Sequence, residues 1–347
     1  MSLKVNFLGD IGIFETYEKS GIDPFNSIEL PESDLNIGNF EFMVPLNRNK
    51  YFYDVQEHYS CSYNYLRSIN TNKFSAFGFA NNHSLDYGLE GALDTIGLLR
   101  QKSIECFGFS TNSEYSTGTL NAEGIKIGII GCVKDGRWSK SIHGYGPDSY
   151  DPEKINDLII KLKKTYHHVI VFPHWGTELI EIPLKEDINN AKKFIDTGAS
   201  AVIGHHPHVS QGIEEYKDGI IAYSLGSFIY LHEEELGYSR KDQHRHLSIC
   251  MNIEFTKEGI STYTPYYYKY NMQRRIPEPV ETGSIIGHVE RLNSNINNQK
   301  EYKKQFYKYL MKREMRSFWT RFKNNPYTAL RVYIKFIIGK IYHRIIQ

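Results

Sequence analysis

The strongest constraint on this chain is a pairing that recurs along it. A short apolar run of β character is followed at once by Gly, Asp, Asn or His, and then by a longer and more polar stretch. Residues 5–8 (VNFL) lead into Gly9 and Asp10. Residues 74–80 (FSAFGFA) lead into Asn81, Asn82 and His83. Residues 168–172 (HVIVF) lead through Pro173 into His174, Trp175 and Gly176, and residues 200–203 (SAVI) lead into Gly204, His205, His206, Pro207 and His208. Residues 125–133 and 219–223 read as further strands, and residues 246–255 and 260–268 as an antiparallel pair turning near 257–259. Residues 151–165 place Ile155, Leu158, Ile159 and Leu162 on one helical face, and residues 187–198 read as a helix closed by Gly198. Strands alternating with helices, with a β-rich end, predict an α/β layered fold.

In open α/β sheets the carboxyl ends of strands line the ligand crevice. The strand ends here offer Asp10, Asn82, His83, His174, His206 and His208, and the segment 36–41 (NIGNFE) adds Asn39 and Glu41. Imidazole, carboxylate and amide donors without thiolate suit divalent Mn, Fe or Zn, and exceed what one ion needs. They would suit two ions sharing a carboxylate. Taken singly, each piece has a plainer reading. Asn81-Asn82-His83 could be a turn, Asp86 a capping residue, and Trp175 packing. Three histidines in four positions at a strand end serve packing poorly, so the joint occurrence favours a shared metal site.

Six motifs occur in order: Gly9-Asp10, Asn39-x-Glu41, ANNHxxDxG from Ala80 to Gly88, HWGxE from His174 to Glu178, GxHPHVxQG from Gly204 to Gly212, and YSLGxF from Tyr223 to Phe228. Over residues 4–270 this series resembles the CapA family of capsule and poly-γ-glutamate synthesis proteins, which is similar to the calcineurin-like metallophosphatases. The resemblance implies a four-layer α/β/β/α sandwich; the C-terminal basic helical extension lies outside it, and the segment 277–283 (PEPVETG) divides the chain as 1–280 and 281–347. The resemblance implies Asp10, Glu41, Asn82, His174, His206 and His208 as ligands of two divalent ions, with Glu41 bridging. It also implies His83 as general acid or oxyanion contact, oriented by Asp86. Asn39, Trp175, Glu178, His205, Gln211 and Ser224 fall where substrate or supporting contacts would lie. Two positions depart from the pattern. Asp-x-His at the first strand is here Asp10-Ile11-Gly12, and the Asn of YSLGNF is Ser227.

Composition enters through charge. The 347 residues hold 41 Lys and Arg against 40 Asp and Glu, a net +1 that excludes a strongly basic nucleic-acid binder. The average hides a split. Residues 300–347 carry thirteen basic residues against Glu301 and Glu314, a net of +11, and the first 299 residues carry a net of −10. Residues 301–322 read as a basic helix bearing Tyr302, Phe306, Tyr309, Phe318 and Trp319. Beyond Pro326, Leu330, Ile334, Ile337, Ile338, Ile341 and Ile345 form an apolar stripe at helical spacing. Such a tail can dock on an anionic membrane surface, on a partner of a capsule-synthesis complex, or on the acidic body itself. Four scattered cysteines argue against a disulfide framework. With no signal-like core at the start and no run of about 20 apolar residues, the expectation is a cytoplasmic protein, with the tail a candidate contact to the inner membrane face.

Three functions follow as expectations. The first is a metal-dependent hydrolase acting on a phosphoester or amide-type bond of a capsule-related substrate. The second is a non-catalytic or transferase-partner component of a polymer-synthesis complex. The third is a serine hydrolase using Ser224, from a near match to G-x-S-x-G at residues 222–226.

Overall fold

A computed structural model describes residues 1–46, 60–112, 114–134, 144–230 and 247–324. The apolar stripe expected at 330–345 lies outside the described residues. Strand β1 (Leu3–Ile11) leads through α1 (Glu15–Ser20) and α2 (Pro24–Ser27) to β2 (Leu35–Phe40). Then come α3 (Tyr63–Ser68), β3 (Ala76–Gly78), α4 (Gly88–Gln101), β4 (Glu105–Phe107), β5 (Phe109–Ser110), β6 (Gly118–Ala122) and β7 (Ile125–Val133). The chain continues with β8 (Gly146–Pro147), α5 (Pro152–Leu162), β9 (His168–His174), α6 (Lys185–Thr197) and β10 (Ala201–Ile203). Next are β11 (Ile213–Tyr216), β12 (Gly219–Ala222), β13 (Ser227–Ile229), β14 (Leu247–Phe255), β15 (Ile260–Asn271) and β16 (Ile276–Pro279). Helices α7 (Thr282–Ser294) and α8 (Gln299–Asn324) follow.

Local chemistry sets the helix ends. The Asp151 side chain accepts from the N–H groups of Glu153 and Lys154, and Pro152 occupies the first turn of α5, where its missing donor costs nothing. Gly198 ends α6 in the left-handed region at φ 117°.

The strands form two main sheets. One runs β16-β15-β14-β1-β2-β3-β4, with β13 also paired to β1, and the other runs β11-β12-β10-β9-β7-β6. β14 and β15 pair antiparallel as expected, Ile253 facing Tyr263. Successive residues of β9 explain the layering. Ile170 and Phe172 join Val5, Phe7, Ile127 and Met251 in a core between the sheets. Val169 and Val171 face the other way, with Ile155, Ile159 and Phe194 of α5 and α6. A third core joins Phe40, Phe77 and Phe79 to Leu98 and Leu99 of α4. Three cores separate four layers, α/β/β/α, and a strand buried on both faces needs the near-continuous apolar run seen at 168–172.

Cys61, Cys106, Cys132 and Cys250 are buried and none is in a disulfide, and burial pushes the Cys106 thiol up to about 12. The chain divides into a body, Met1–Asn297, and an extension, Asn298–Gln347. Helix α7, which lies beyond the 280/281 division drawn from the sequence, groups with the body. Among the described residues no helix is long and apolar enough to cross a membrane.

Candidate metal centre

Five strand ends, three from one sheet and two from the other, deliver the site. Asp10 lies near the end of β1, in register with Asn39 of β2 on one side and Ser227 of β13 on the other. Gly9 permits this crowding: a Cβ there would stand 2.0 Å from the Gly226 carbonyl oxygen. Asp10 N–H donates to that oxygen at 2.9 Å. Asn39 and Glu41, two residues apart, share a face, and Glu41 N–H donates to the Ile11 carbonyl at 2.9 Å. After β3 the chain turns on Asn81. Its Nδ2 donates to the Phe40 carbonyl at 2.8 Å, and its Oδ1 accepts from the His83 N–H at 3.1 Å. That stitches the Asn82-His83 turn to the end of β2. β9 runs two residues further than its apolar pattern suggested, through Pro173 to His174. Proline lacks a donor but keeps an acceptor, and the Pro173 carbonyl accepts from His205 N–H at 2.9 Å. Beyond β10, His206 and His208 stand at φ 96° and 57°. Side chains seldom adopt that left-handed region. Here it lets a loop, not a strand, bring both imidazoles to one place.

Two donor groups result, and Glu41 belongs to both: Glu41, His174 and His206, and Asp10, Glu41 and His208. In the first, His174 Nε2 lies 3.4 Å from Glu41 Oε1 and 3.1 Å from His206 Nδ1, with Asn82 Oδ1 at 2.8 Å. In the second, His208 Nδ1 is 3.3 Å from Asp10 Oδ2 and His208 Nε2 is 3.6 Å from Glu41 Oε1. Donors around one ion at bond lengths of about 2.1 Å stand about 3 to 3.4 Å apart, so the spacings of the first group suit a coordination shell. Both Glu41 oxygens are buried without a hydrogen-bond partner. A buried carboxylate left so is costly, and a cation supplies what the protein does not. The residues present therefore fit a divalent ion.

The electrostatics agree. Burial pushes the Glu41 carboxyl well above the usual range, and the charges of Asp10, Glu178 and Asp86 push the same way. Burial also works against the Asp10 carboxylate, but hydrogen bonding and charge from His208, with His205 and Asn39, hold it below its ordinary value. Burial drives His174 well below the usual imidazole value, helped by the neighbouring histidines. His206 is lowered by burial too, against the opposing charges of Glu178 and Asp10. Neutral imidazoles are the metal-binding form.

The other sequence candidates divide by position. Asn39 Nδ2 donates to Asp10 Oδ1 at 2.8 Å and lies 3.2 Å from His174 Nδ1, tying the two sheets at the site. His83 Nδ1 donates to Asp86 Oδ2 at 2.7 Å. Glu178 is half-buried at the rim, on a loop fixed by Leu179 N–H donating to the Pro207 carbonyl at 2.7 Å. His205 lies beneath the floor, with Nε2 3.1 Å from the Leu8 carbonyl oxygen and its ring 4.1 Å from that of Phe172. Trp175 and Gln211 are braces. Trp175 Nε1 donates to the Tyr223 carbonyl at 2.9 Å, and Gln211 Nε2 donates to the Ile180 carbonyl at 2.8 Å. Ser224 corrects the serine-hydrolase expectation. It is fully buried, its hydroxyl oxygen accepts from Gly226 N–H at 3.2 Å, and strand β13 follows where a nucleophile elbow needs a helix.

Sequence reasoning missed Asn81 as the turn's anchor, although its Asn-Asn-His setting signalled a turn. Ser227, singled out in the sequence as a departure from YSLGNF, places its Oγ 3.0 Å from His208 Nδ1, and the Tyr230 ring, which sequence reasoning missed, lies 4.6 Å from that of His208.

The fold and this site define a metallophosphatase-like α/β protein. Comparison with known proteins agrees. The chain belongs to the family described as bacterial capsule synthesis protein PGA_cap, whose profile matches residues 4–231. It is 30% identical over 299 residues to the PGA biosynthesis protein CapA of Bacillus subtilis, covering 82% of this chain and 75% of that protein. It is 32% identical over 212 residues to the capsule biosynthesis protein CapA of Bacillus anthracis, covering 58% of this chain and 51% of that one. A solved structure of a candidate 5′-nucleotidase from Staphylococcus aureus, in complex with α-ketoglutarate, aligns with a TM-score of 0.50. It shares 14% identity and covers 86% of this chain and 58% of its own, a likeness of fold alone.

Proposed function

We propose that this chain is a metal-dependent hydrolase that cleaves a phosphoester or amide-type bond of a capsule-related substrate. Two divalent ions (Mn, Fe or Zn) would be held by Asp10, Glu41, Asn82, His174, His206 and His208. The observation that carries this reading is Glu41, whose two buried oxygens lack hydrogen bonds and which both donor groups share. When bound, such ions supply Lewis-acid charge to a developing anion. The chain's own residues do the rest. Asn39 holds Asp10 and His174 in register across the two sheets. His83 donates its Nδ1 proton to Asp86, which fixes the tautomer and orients the ring. Nε2 is then the atom that exchanges a proton with the leaving group.

The test is hydrolysis of bis(p-nitrophenyl) phosphate and of γ-linked glutamate oligomers by the metal-loaded chain, with metal content measured in parallel. His83→Ala should lower the rate by about 100-fold or more at unchanged metal content. Absence of turnover on both substrate classes by the metal-loaded native chain sinks the hydrolase reading.

One observation favours the second reading, a non-catalytic or transferase-partner role in a polymer-synthesis complex. Gly12 replaces the first-motif histidine, and a Cβ there would stand 2.5 Å from Phe14 Cζ. That reading gains if His83→Ala leaves polymer production intact while loss of 298–347 abolishes it. In both readings the +11 extension is the docking element, for an anionic membrane surface or for the complex.

A further inference from the structure

We infer that the two halves of the centre load unequally. The Glu41–His174–His206 half, with Asn82, takes an ion first, and the Asp10–Glu41–His208 half takes one only weakly, because an aromatic wall of Phe14 and Tyr230 closes the position from which a further ligand would come. This rests on the metal reading above.

Donor supply is the first ground. The His174 half offers four side-chain donors, a carboxylate, two imidazoles and an amide oxygen, with His206 Nδ1 and Asn82 Oδ1 at 3.1 and 2.8 Å from His174 Nε2. The His208 half offers two carboxylates and one imidazole, and the neutral oxygen beside that ring is the Ser227 hydroxyl, a weaker donor than an amide oxygen. A fourth cannot enter from residue 12. Any Cβ there would stand 2.5 Å from Phe14 Cζ and 2.7 Å from Tyr230 Cδ2. The two rings meet edge to face at 5.0 Å, and the Tyr230 ring borders His208 at 4.6 Å. The room is filled from two directions, so adding a side chain at 12 would not supply a ligand.

Competition within the chain is the second ground. The two carboxylates of this half face different nitrogens of one ring: Asp10 Oδ2 lies near Nδ1 of His208 and Glu41 Oε1 near Nε2. One imidazole gives one lone pair to one ion, so His208 cannot serve both sides at once. Nδ1 is further held by Ser227 Oγ at 3.0 Å. Asp10 is committed as well, its Oδ1 accepting from Asn39 and its Oδ2 from His206 N–H at 3.3 Å. In the His174 half the close contacts run among the donors themselves, which an ion between them replaces, whereas an ion entering this half competes with Asn39, Ser227 and the His206 N–H.

The experiment is calorimetric titration of Mn²⁺ into the metal-free full chain. Native protein should bind one ion tightly and a second about tenfold or more weakly. His208→Gln should remove only the weak event, and His174→Gln the tight one, with circular dichroism confirming the fold. Anomalous occupancies in native crystals at limiting Mn²⁺ read the same order without a substitution, and should fill the His174 half first. Two events of equal affinity, loss of the tight event in His208→Gln, or first filling of the His208 half overturns this inference and leaves the metal reading standing. No Mn²⁺ or Zn²⁺ binding at all overturns both.

Discussion

Neither oxygen of Glu41 is hydrogen-bonded, and both are sealed from water, so its effect on stability should change sign with metal. In metal-free protein the raised carboxyl gains little from its charge, and Glu41→Gln should hold or raise the melting temperature. In metal-loaded protein the same substitution removes the shared ligand. The lost stabilisation is about 2.7 kcal/mol when free metal stands at about 100 times Kd. Melting curves of both proteins, with and without chelator, check this; equal shifts in the two conditions contradict it. A second buried carboxyl gives a pH test away from the donors. Burial pushes Asp187 up to about 6 from 3.8, although Lys134 Nζ donates to its Oδ1 at 2.6 Å. Between those values the folded state binds more protons than the unfolded state, so this group's contribution falls as pH rises and levels off above about 6. Asp187→Asn should therefore flatten the melting temperature across about pH 4 to 6 relative to native protein. An unchanged slope rules that out.

At the level of elements, the site depends on backbones that approach closely. Gly204 follows β10, and a Cβ there would stand 2.0 Å from the Tyr223 carbonyl oxygen and 2.6 Å from Trp175 Nε1. Gly204→Ala should push β10 from the end of β12 at the root of the histidine loop. The expected cost is about 3 kcal/mol in urea unfolding, with weakened metal binding. Trp175→Phe keeps an aromatic side chain but removes the Nε1 donor, orphaning the Tyr223 carbonyl, and leaves part of the indole volume empty, for a loss of about 1–3 kcal/mol. A neutral Gly204→Ala would show that the strands can part freely. These contacts explain what the sequence could and could not reveal. Strand ends followed by Asp, Asn or His were legible because burial on both faces demands apolar runs and chemistry demands polar residues just past them. Hence β1, β3, β9 and β10 were read where they lie, although β1 runs on through Asp10 to Ile11, β9 runs on to His174, and β3 stops at Gly78. Which strands share a sheet was not legible from periodicity, because pairings such as Leu8 with Cys250 span most of the chain. The Tyr230 wall was hidden for the same reason: nothing near Gly12 in sequence announces a ring from residue 230. Trp175 and Gln211 read as site residues by adjacency, yet their hydrogen bonds run to backbone carbonyls.

For the whole molecule, the charge split and the structural split fall together. Asn298 and Gln299 are uncharged, so the extension Asn298–Gln347 carries the full +11 and the body Met1–Asn297 carries −10. All the donor residues and all three cores lie in the body. A chain ending at Asn297 should therefore fold alone and keep its metal-dependent shift in melting temperature. Within the extension, α8 carries Tyr302 and Phe306 one turn apart with their rings stacked at 6.0 Å, and Lys304 paired with Glu301 at 3.2 Å. Lys300, Lys303 and Lys308 are exposed. Basic side chains beside aromatics favour anionic surfaces by about 1 kcal/mol per charge near the membrane, screened over about 10 Å at 0.1 M salt. The full chain should co-sediment with phosphatidylserine vesicles at low salt and release at high salt, while the 1–297 chain stays in solution at both. If the shortened chain sediments equally, the contact belongs to the body. If the full chain fails to bind at low salt, the extension has a protein partner instead, and cross-linking of the native chain to capsule-synthesis components should then depend on residues 298–347.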